Sequence, residues 1–180
     1  MTQRTHGFSL IELLITISIV AILAAMAAPS FTSMIESRRL IAATEGVYAH
    51  LQFARSEAVK LHTDLNLSVR AGTAWCLGIS NNASCDCATA GACRYGPDAD
   101  GDGNPDLERN LKGSDYPNVT MTSPSANINY VVNNTRGTLG ATGDTIELSS
   151  PSGLKTRVIF SRLGRIRFCT TSSTGGYPAC

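Results

Sequence analysis

The feature that most constrains the fold is an apolar run close to the N-terminus, residues 8–28. It is interrupted by small Ser and Thr hydroxyls and by one acidic residue, Glu12. A helix of this length reaches roughly 30 Å, which is enough to cross the apolar core of a bilayer. A secretory signal peptide cleaved after AAMAA is the alternative, but a carboxylate inside an apolar segment is costly and is kept for a function. We therefore predict a retained membrane helix in which Glu12 has a role.

The sequence around that carboxylate, GFSLIELLI at residues 7–15, resembles the class III signal of type IV prepilins. In that family a prepilin peptidase cleaves after the glycine and methylates the new N-terminus. The resemblance assigns these two positions to Gly7 and Phe8. It also implies that Glu12 pairs with the N-terminal amine of a neighbouring pilin subunit when a filament assembles.

The same resemblance divides the chain at Pro29, which matches the proline that bends pilin helices. Residues 1–7 would be a cleaved leader, residues 8–29 the transmembrane and filament-core helix, and residues 30–180 a periplasmic or extracellular head. Such a protein begins as a single-pass protein of the inner membrane and joins a cell-surface pilus on assembly.

Hydrophobic periodicity changes along the rest of the chain. After Pro29, apolar residues recur at spacings of three and four, which predicts that an amphipathic helix continues to about residue 62. These residues are Leu40, Ala43, Val47, Leu51, Ala54, Ala58 and Leu61. The period then becomes two, and turn-forming clusters separate seven candidate strands at 65–69, 74–79, 119–121, 128–132, 145–148, 156–161 and 165–169. The predicted fold class is α+β: one long N-terminal helix packed on an antiparallel β-sheet or a small β-sandwich, with a long polar loop at residues 80–115.

Disulfides are the favoured state of the six cysteines, because none belongs to a CxxC pair of the kind that zinc requires. The cysteines are Cys76, Cys85, Cys87, Cys93, Cys169 and Cys180. Disulfides imply an oxidising compartment. Cys85 and Cys87 are too close to bond to each other comfortably, so two pairings of the first four remain open. For the tail we predict a Cys169–Cys180 bond, worth on the order of 3 kcal/mol in the loop-entropy model. This bond would hold the tail near the preceding arginines and present Tyr177 for stacking.

An acidic stretch, DADGDGNPD at residues 98–106, resembles the first half of a calcium loop, since oxygen-bearing side chains alternate and a glycine stands sixth. The twelfth position holds Arg109 where a bidentate Glu is required, and no helical pattern precedes the loop. The stretch also resembles an acidic hairpin of the FimT/GspH group of minor pilins. We predict a turn whose Asp and Asn side chains fix the backbone, and no metal site.

The remaining motifs predict neither enzymatic activity nor a cofactor. His50 and His62 fall on the predicted helix, where a packed or solvated histidine is expected. No Gly-rich phosphate loop follows a candidate strand, and no serine lies in a nucleophile-elbow motif.

Charge is distributed unevenly, although the formal net charge is +1. From residue 148 onward the chain has no acidic residue and five basic ones: Lys155, Arg157, Arg162, Arg165 and Arg167. Alternation along the last strand predicts Arg165 and Arg167 on one face and Ile166 and Phe168 on the other. Two residues of strand span about 6.6 Å, comparable to adjacent phosphates of a nucleic acid, and a guanidinium fork suits phosphate oxygens.

Two interpretations of this arginine strand are open on composition alone. The first is anion binding, in which Gly164 adopts a positive φ for the turn and lets a ligand approach the backbone. The second is protection of an edge strand, because charge blocks sheet-to-sheet aggregation.

The tetrapeptide GRIR, residues 164–167, resembles the C-terminal G-R-x-R motif of FimT-type minor pilins, which bind DNA during uptake by naturally competent bacteria. The resemblance assigns a DNA-binding role to Gly164, Arg165 and Arg167. Three further candidates rest on charge only: Arg162, Lys155 and Arg157.

The chain is therefore predicted to be a minor type IV pilin of the FimT/GspH type that binds DNA and supports natural transformation. Its partners would be DNA, other pilin subunits, prepilin peptidase and the inner membrane. Two alternatives remain: a minor pseudopilin at the tip of a type II secretion filament, and a pilus-priming subunit that does not bind DNA.

Overall fold

The computed structural model describes residues 8–82, 84–122, 127–139, 144–161, 163–171 and 177–180, without the side chains of residues 27–30 and 127. The chain divides into two compact units, Met1–Ile35 and Glu36–Cys180. In chain order its elements are helix α1 (Leu10–Leu61), β1 (Leu65–Arg70), β2 (Cys76–Ser80), β3 (Arg94–Tyr95), β4 (Leu107–Glu108), β5 (Asn110–Lys112), a 3-10 turn (Gly113–Asp115), β6 (Thr120–Thr122), β7 (Asn127–Val132), β8 (Asp144–Ser149), β9 (Lys155–Phe160) and β10 (Ile166–Thr170).

Helix α1 starts with a side-chain cap. Ser9 Oγ accepts the N–H of Glu12 at 3.2 Å, which satisfies one of the free donors of the first turn. The helix is exposed and mostly apolar from Leu10 to Met26, and an 18-residue window of it reaches a mean hydropathy of 2.6. Its length and composition are those of a membrane-crossing helix, as predicted for residues 8–28.

The second half of α1 buries the apolar stripe that its periodicity predicts. Six residues of the stripe are completely buried: Leu40, Ala43, Val47, Leu51, Ala54 and Ala58. Thr44 adds a polar contact inside this interface, because its Oγ1 lies 2.6 Å from Oγ1 of Thr156 on β9. The helix ends where His62 takes a φ of 51° and the N–H of Thr63 donates to the carbonyl of Ala58, which is a left-handed C-cap.

Two four-stranded antiparallel sheets complete the head. Their strand orders are β5-β2-β1-β7 and β10-β9-β8-β6. The sheets are joined where Gly72 and Met121 exchange backbone hydrogen bonds of 2.8 and 3.1 Å. Apolar side chains from α1 and from both sheets form one core, in which Trp75 and Phe160 are the largest completely buried residues. The predicted α+β fold is confirmed, and its β part consists of these two sheets and a separate two-stranded ribbon, β3-β4.

Three short strands were not predicted. Strands β3, β4 and β5 lie inside residues 80–115, which the sequence analysis assigned to a loop. Strands β3 and β4 pair as a separate ribbon, and β5 extends the first sheet with Leu111 opposite Leu77 of β2. Strands of two or three residues are too short to display an alternating pattern, so periodicity does not detect them.

Two disulfides fasten this segment to the first sheet. Cys76 of β2 bonds to Cys87, and Cys85 bonds to Cys93, with Cα–Cα separations of 5.7 and 5.1 Å. The structure thereby selects one of the two pairings that the sequence left open. Three of the four cysteines are buried and form a small cluster of their own. The segment thus has a fixed path although it contains little regular structure.

Candidate nucleic-acid interface

Strand β10 shows the alternation that its sequence predicts. Arg165, which precedes the strand, and Arg167 within it are exposed, whereas Ile166 is buried and Phe168 is partly buried against the core. No carboxylate of the described residues forms an ion pair with Arg165 or Arg167. Arg162, the first arginine of the stretch, lies outside the described residues. Strand β10 and the residue before it therefore present two guanidinium groups to solvent on one side of the strand.

The register of the β9–β10 hairpin adds two more cations to this face. Arg167 lies opposite Ile159, and Cys169 lies opposite Arg157. Since alternate residues of a strand share a face, Lys155 and Arg157 of β9 lie on the same outer side as Arg167. Arg167 and Arg157 are diagonal neighbours, a relation in which residues are separated by about 7–8 Å. The sheet thus brings together residues that lie 10 positions apart.

Lys155 and Arg157 are held by an acid that the sequence analysis did not connect with them. Glu147 of β8 lies opposite Arg157 in the register and accepts hydrogen bonds of 2.9 Å from both Lys155 Nζ and Arg157 Nε. The hydrogen bond from Lys155, followed by that from Arg157, lowers the pKa of Glu147, so this carboxyl is ionised at pH 7. The two cations of β9 are therefore partly neutralised, which distinguishes them from Arg165 and Arg167.

The turn before β10 is built on Gly164. This residue has a φ of +78°, its N–H donates to the carbonyl of Ser161 at 2.8 Å, and Ser161 in turn donates to the carbonyl of Arg165 at 2.9 Å. The positive φ was predicted. The expectation that the missing Cβ leaves room for a ligand is wrong, because a Cβ there would lie 2.6 Å from the carbonyl oxygen of Gly137 and 3.3 Å from Cζ of Arg55. The space beside Gly164 is occupied by the fold itself.

The tail is fixed to the end of β10. Cys169 bonds to Cys180 with a Cα–Cα separation of 5.0 Å, which is the pair predicted for the tail. The N–H of Thr170 donates to the carbonyl of Pro178, and the N–H of Cys180 donates to the carbonyl of Thr170, both at 3.0 Å. The tail thus pairs alongside the outer edge of β10 at Thr170, beyond the arginines.

Tyr177 is not available to the arginine face, contrary to the stacking role expected for it. Its ring packs edge-on against Phe168, with centroids 4.7 Å apart, and its hydroxyl donates to Glu45 of α1. Phe168 in turn packs edge-on against Tyr48 of the same helix. The tail therefore directs its aromatic side chain towards the helix, on the side of β10 opposite to Arg167.

Two basic residues near this hairpin were not recognised from the sequence. Arg55 of α1 donates from Nη1 to the carbonyl of Gly164 at 2.8 Å. Arg136 is exposed in the turn that follows β7, and the next residue, Gly137, contacts Gly164 through its carbonyl oxygen. Arg55 and Gly164 are 109 positions apart, so no local pattern in the sequence could have associated them.

The other candidate groups support the structure of the chain. Asp98, Asp100 and Asp106 have carboxylate oxygens within 4.8 Å of one another. The two oxygens of Asp98 accept backbone N–H groups of Gly101 and Gly103 at 2.7 and 2.9 Å, and the bond from Gly103 lowers the pKa of Asp98. These contacts form the acidic turn that was predicted.

His50 is a packed residue of the core. It is 3% exposed, and its pKa is lowered to about 4, mainly because burial removes it from water and secondarily because Arg109 is close. The imidazole is therefore neutral at pH 7, and it has no exposed surface of the kind a general acid or base needs.

A long N-terminal helix with an apolar first half, packed through its second half on antiparallel sheets, is the architecture of type IV pilin-like proteins. Residues 2–28 match the prokaryotic N-terminal methylation motif. Residues 43–164 match the family described as type II transport protein GspH, and the chain belongs to that family. Its apolar helix and methylation motif fit a membrane-anchored pilin that becomes part of a surface filament. The family match ends at Gly164, so Arg165 and Arg167 lie beyond it.

Two solved structures resemble this fold, both of the type IV minor pilin FimU from Pseudomonas aeruginosa. The P21 crystal form has a TM-score of 0.53 and 21% sequence identity, and the alignment covers 80% of this chain and 98% of that one. The P65 form has a TM-score of 0.49 and 22% identity, with coverage of 76% and 97%. At this identity the likeness to the P21 form establishes the fold alone. No curated protein matches the sequence significantly.

Proposed function

We propose that this protein is a minor type IV pilin that binds DNA without sequence preference through Arg165 and Arg167 and supports DNA uptake in natural transformation. The observation that carries the proposal is the exposure of two neighbouring guanidinium groups that no described carboxylate neutralises. Phosphate oxygens are the natural partners of such groups, because a guanidinium donates two parallel hydrogen bonds to them. Membership of a filament-protein family supports a structural and binding role.

In this proposal the apolar half of α1 anchors the protein in the inner membrane before assembly, and the head faces the periplasm. After assembly the head lies on a pilus at the cell surface, where DNA is accessible. Phosphate contacts position a nucleic acid but do not read its bases, so one minor subunit would take up DNA of any sequence.

Titration with DNA tests the proposal directly. The full-length protein in uncharged detergent micelles is titrated with fluorescent DNA of several unrelated sequences at 50 and 200 mM salt. If two phosphates are neutralised, counterion release weakens binding by about tenfold over this fourfold rise in salt, equally for all sequences. A protein that binds no DNA at 50 mM salt would refute the proposal.

A second candidate function, a minor pseudopilin of a type II secretion filament, is favoured by the description of the matched family. Its partners would be other proteins of the filament. Arg165 and Arg167 would then protect β10, which is the outermost strand of its sheet, from pairing with another chain. If the protein binds no DNA and is incorporated into a secretion filament, it has this function. If it binds no DNA and is incorporated into a pilus, it is a pilus-priming subunit.

Processing of the N-terminus provides a separate prediction. Because Gly7 precedes the apolar helix and Glu12 lies in its first turn, the mature protein is expected to begin with N-methyl-Phe8. N-terminal mass spectrometry of protein purified from membranes measures this directly. A mature N-terminus close to Pro29 would instead indicate a cleaved signal peptide and contradict the assignment of Gly7, Phe8 and Glu12.

Neutralising Glu147 is predicted to strengthen DNA binding. The change Glu147→Gln removes the charge that holds Arg157, so this cation becomes available to a phosphate. The magnitude of the slope of log K against log salt should rise by about 0.7 to 0.9 for each new phosphate contact. Lost ion pairs on a partly exposed surface should destabilise the fold by only about 1 kcal/mol.

The matched control for this prediction is Asp102→Asn, which removes the same charge from the exposed loop between β3 and β4. Its slope should equal that of the wild type. If Glu147→Gln leaves affinity and slope unchanged while remaining folded, Arg157 does not contact DNA.

A further inference from the structure

A groove of about 420 Å³ runs between α1 and the turn that follows β7. Its cations are Arg55 and Lys60 from the helix and Arg136 from the turn. Val59, which is 43% exposed, contributes apolar surface between them. The groove was not expected from the sequence, because its walls come from segments about 80 positions apart.

The groove adjoins the β9–β10 hairpin that carries Arg165 and Arg167, called the arginine hairpin below, through direct contacts. Arg55 lines the groove and also donates to the carbonyl of Gly164 at 2.8 Å. Gly137, which lines the opposite wall, places its carbonyl oxygen against Gly164. Arg136 and Arg165 are the neighbours of these two glycines, so they extend from two turns that touch.

The charge of the groove is positive. Glu57 lies beside Lys60, with an Oε1–Nζ distance of 3.3 Å, and neutralises it in part. Arg55 uses one donor on Gly164 and retains others, since a guanidinium has five N–H groups. No described carboxylate forms an ion pair with Arg136 or Arg55. Three cations and one acid leave the groove with a formal charge of +2.

From this arrangement we infer that bound DNA continues from the arginine hairpin into this groove. There Arg136 neutralises a further phosphate, and Arg55 lies beside the same DNA strand. This inference rests on the proposed DNA binding and extends it to a surface formed by α1 and the β7 turn. The apolar stems of the arginines and Val59 provide a floor on which sugar groups can pack between phosphate contacts.

Arg136 is the residue to test, because its side chain is exposed. Its contact within the turn is made by the backbone N–H, which donates to Asn133 Oδ1 and is kept when the side chain is replaced. Arg55 is unsuitable, since its replacement would also release the hairpin turn from α1. The change Arg136→Gln in the full-length protein should reduce the magnitude of the salt slope by about 0.7 to 0.9, equally for all DNA sequences. Combined with Arg165→Gln and Arg167→Gln, it should reduce the slope by about 2.1 to 2.7 in total.

The control is Arg39→Gln, which removes an exposed arginine from α1 itself. Arg39 lies 16 residues from Arg55, or about 24 Å along the helix, and its replacement should leave slope and affinity unchanged. Thermal unfolding verifies that all variants are folded. If Arg136→Gln binds like the wild type while the hairpin variant loses binding, the extension into the groove is wrong and the proposed function stands. If the wild type binds no DNA, both fail.

Discussion

Replacing both Arg165 and Arg167 with glutamine should lower the magnitude of the slope of log K against log salt by about 1.4 to 1.8. Glutamine keeps polarity and approximate length but removes the charge, so two counterions fewer are released when DNA binds. Weakening should be equal for all DNA sequences, because phosphate contacts carry no base information. Both side chains are exposed and lack described ion pairs, so stability should change by at most about 0.5 kcal/mol.

The measurement is a DNA titration of the full-length protein over a series of salt concentrations, with Arg38→Gln and Arg39→Gln together as the control. Both control residues are exposed on α1, away from the hairpin, and their loss removes the same total charge. A hairpin variant with unchanged affinity and slope that aggregates would show that the arginines protect the edge strand. DNA binding through this hairpin would then be excluded.

The second large effect concerns stability. The change Gly164→Ala should reduce the free energy of unfolding by about 3–4 kcal/mol. Roughly 1–2 kcal/mol comes from placing a Cβ in the left-handed region, where φ is +78°. The remainder of about 2 kcal/mol arises because that Cβ would lie 2.6 Å from the backbone oxygen of Gly137, which forces the turns apart and weakens the Arg55 hydrogen bond.

Gly153 supplies the matched control for this change. It has a φ of +83°, and a Cβ there would meet nothing within 4 Å. Gly153→Ala should therefore show the backbone effect alone, about 1–2 kcal/mol. Chemical denaturation of both variants gives the difference. Equal losses at the two positions would mean that the contact between the Gly164 and Gly137 turns contributes nothing to stability.

Local patterns in the sequence predicted the features that depend on neighbouring residues. The apolar run with Glu12 predicted the exposed first half of α1, and spacings of three and four predicted the stripe from Leu40 to Ala58 that the head buries. Alternation predicted the exposure of Arg167 and the burial of Ile166. Each of these patterns has a period that the geometry of a helix or a strand imposes.

The remaining features depend on contacts between distant segments. Glu147 neutralises Arg157 only because β8 and β9 pair in one particular register. No local pattern of residues shows which register two strands will adopt. The same holds for Arg55, which reaches Gly164 across the fold, and for Tyr177, which turns towards Glu45 instead of the arginines. The sequence therefore predicted the exposure of Arg167, whereas the ion pairs of Glu147 and the contact of Arg55 with Gly164 could not be predicted from it.

The hydrogen bond between Arg55 and Gly164 has a thermodynamic consequence for any ligand of the hairpin. Because Gly164 is fastened to the buried half of α1, the backbone at this residue is already fixed before a ligand arrives. Binding then restricts arginine side chains but no backbone, which limits the loss of conformational entropy on association. A pre-organised hairpin of this kind should bind with a heat-capacity change close to zero, since no chain folds and little apolar surface is buried.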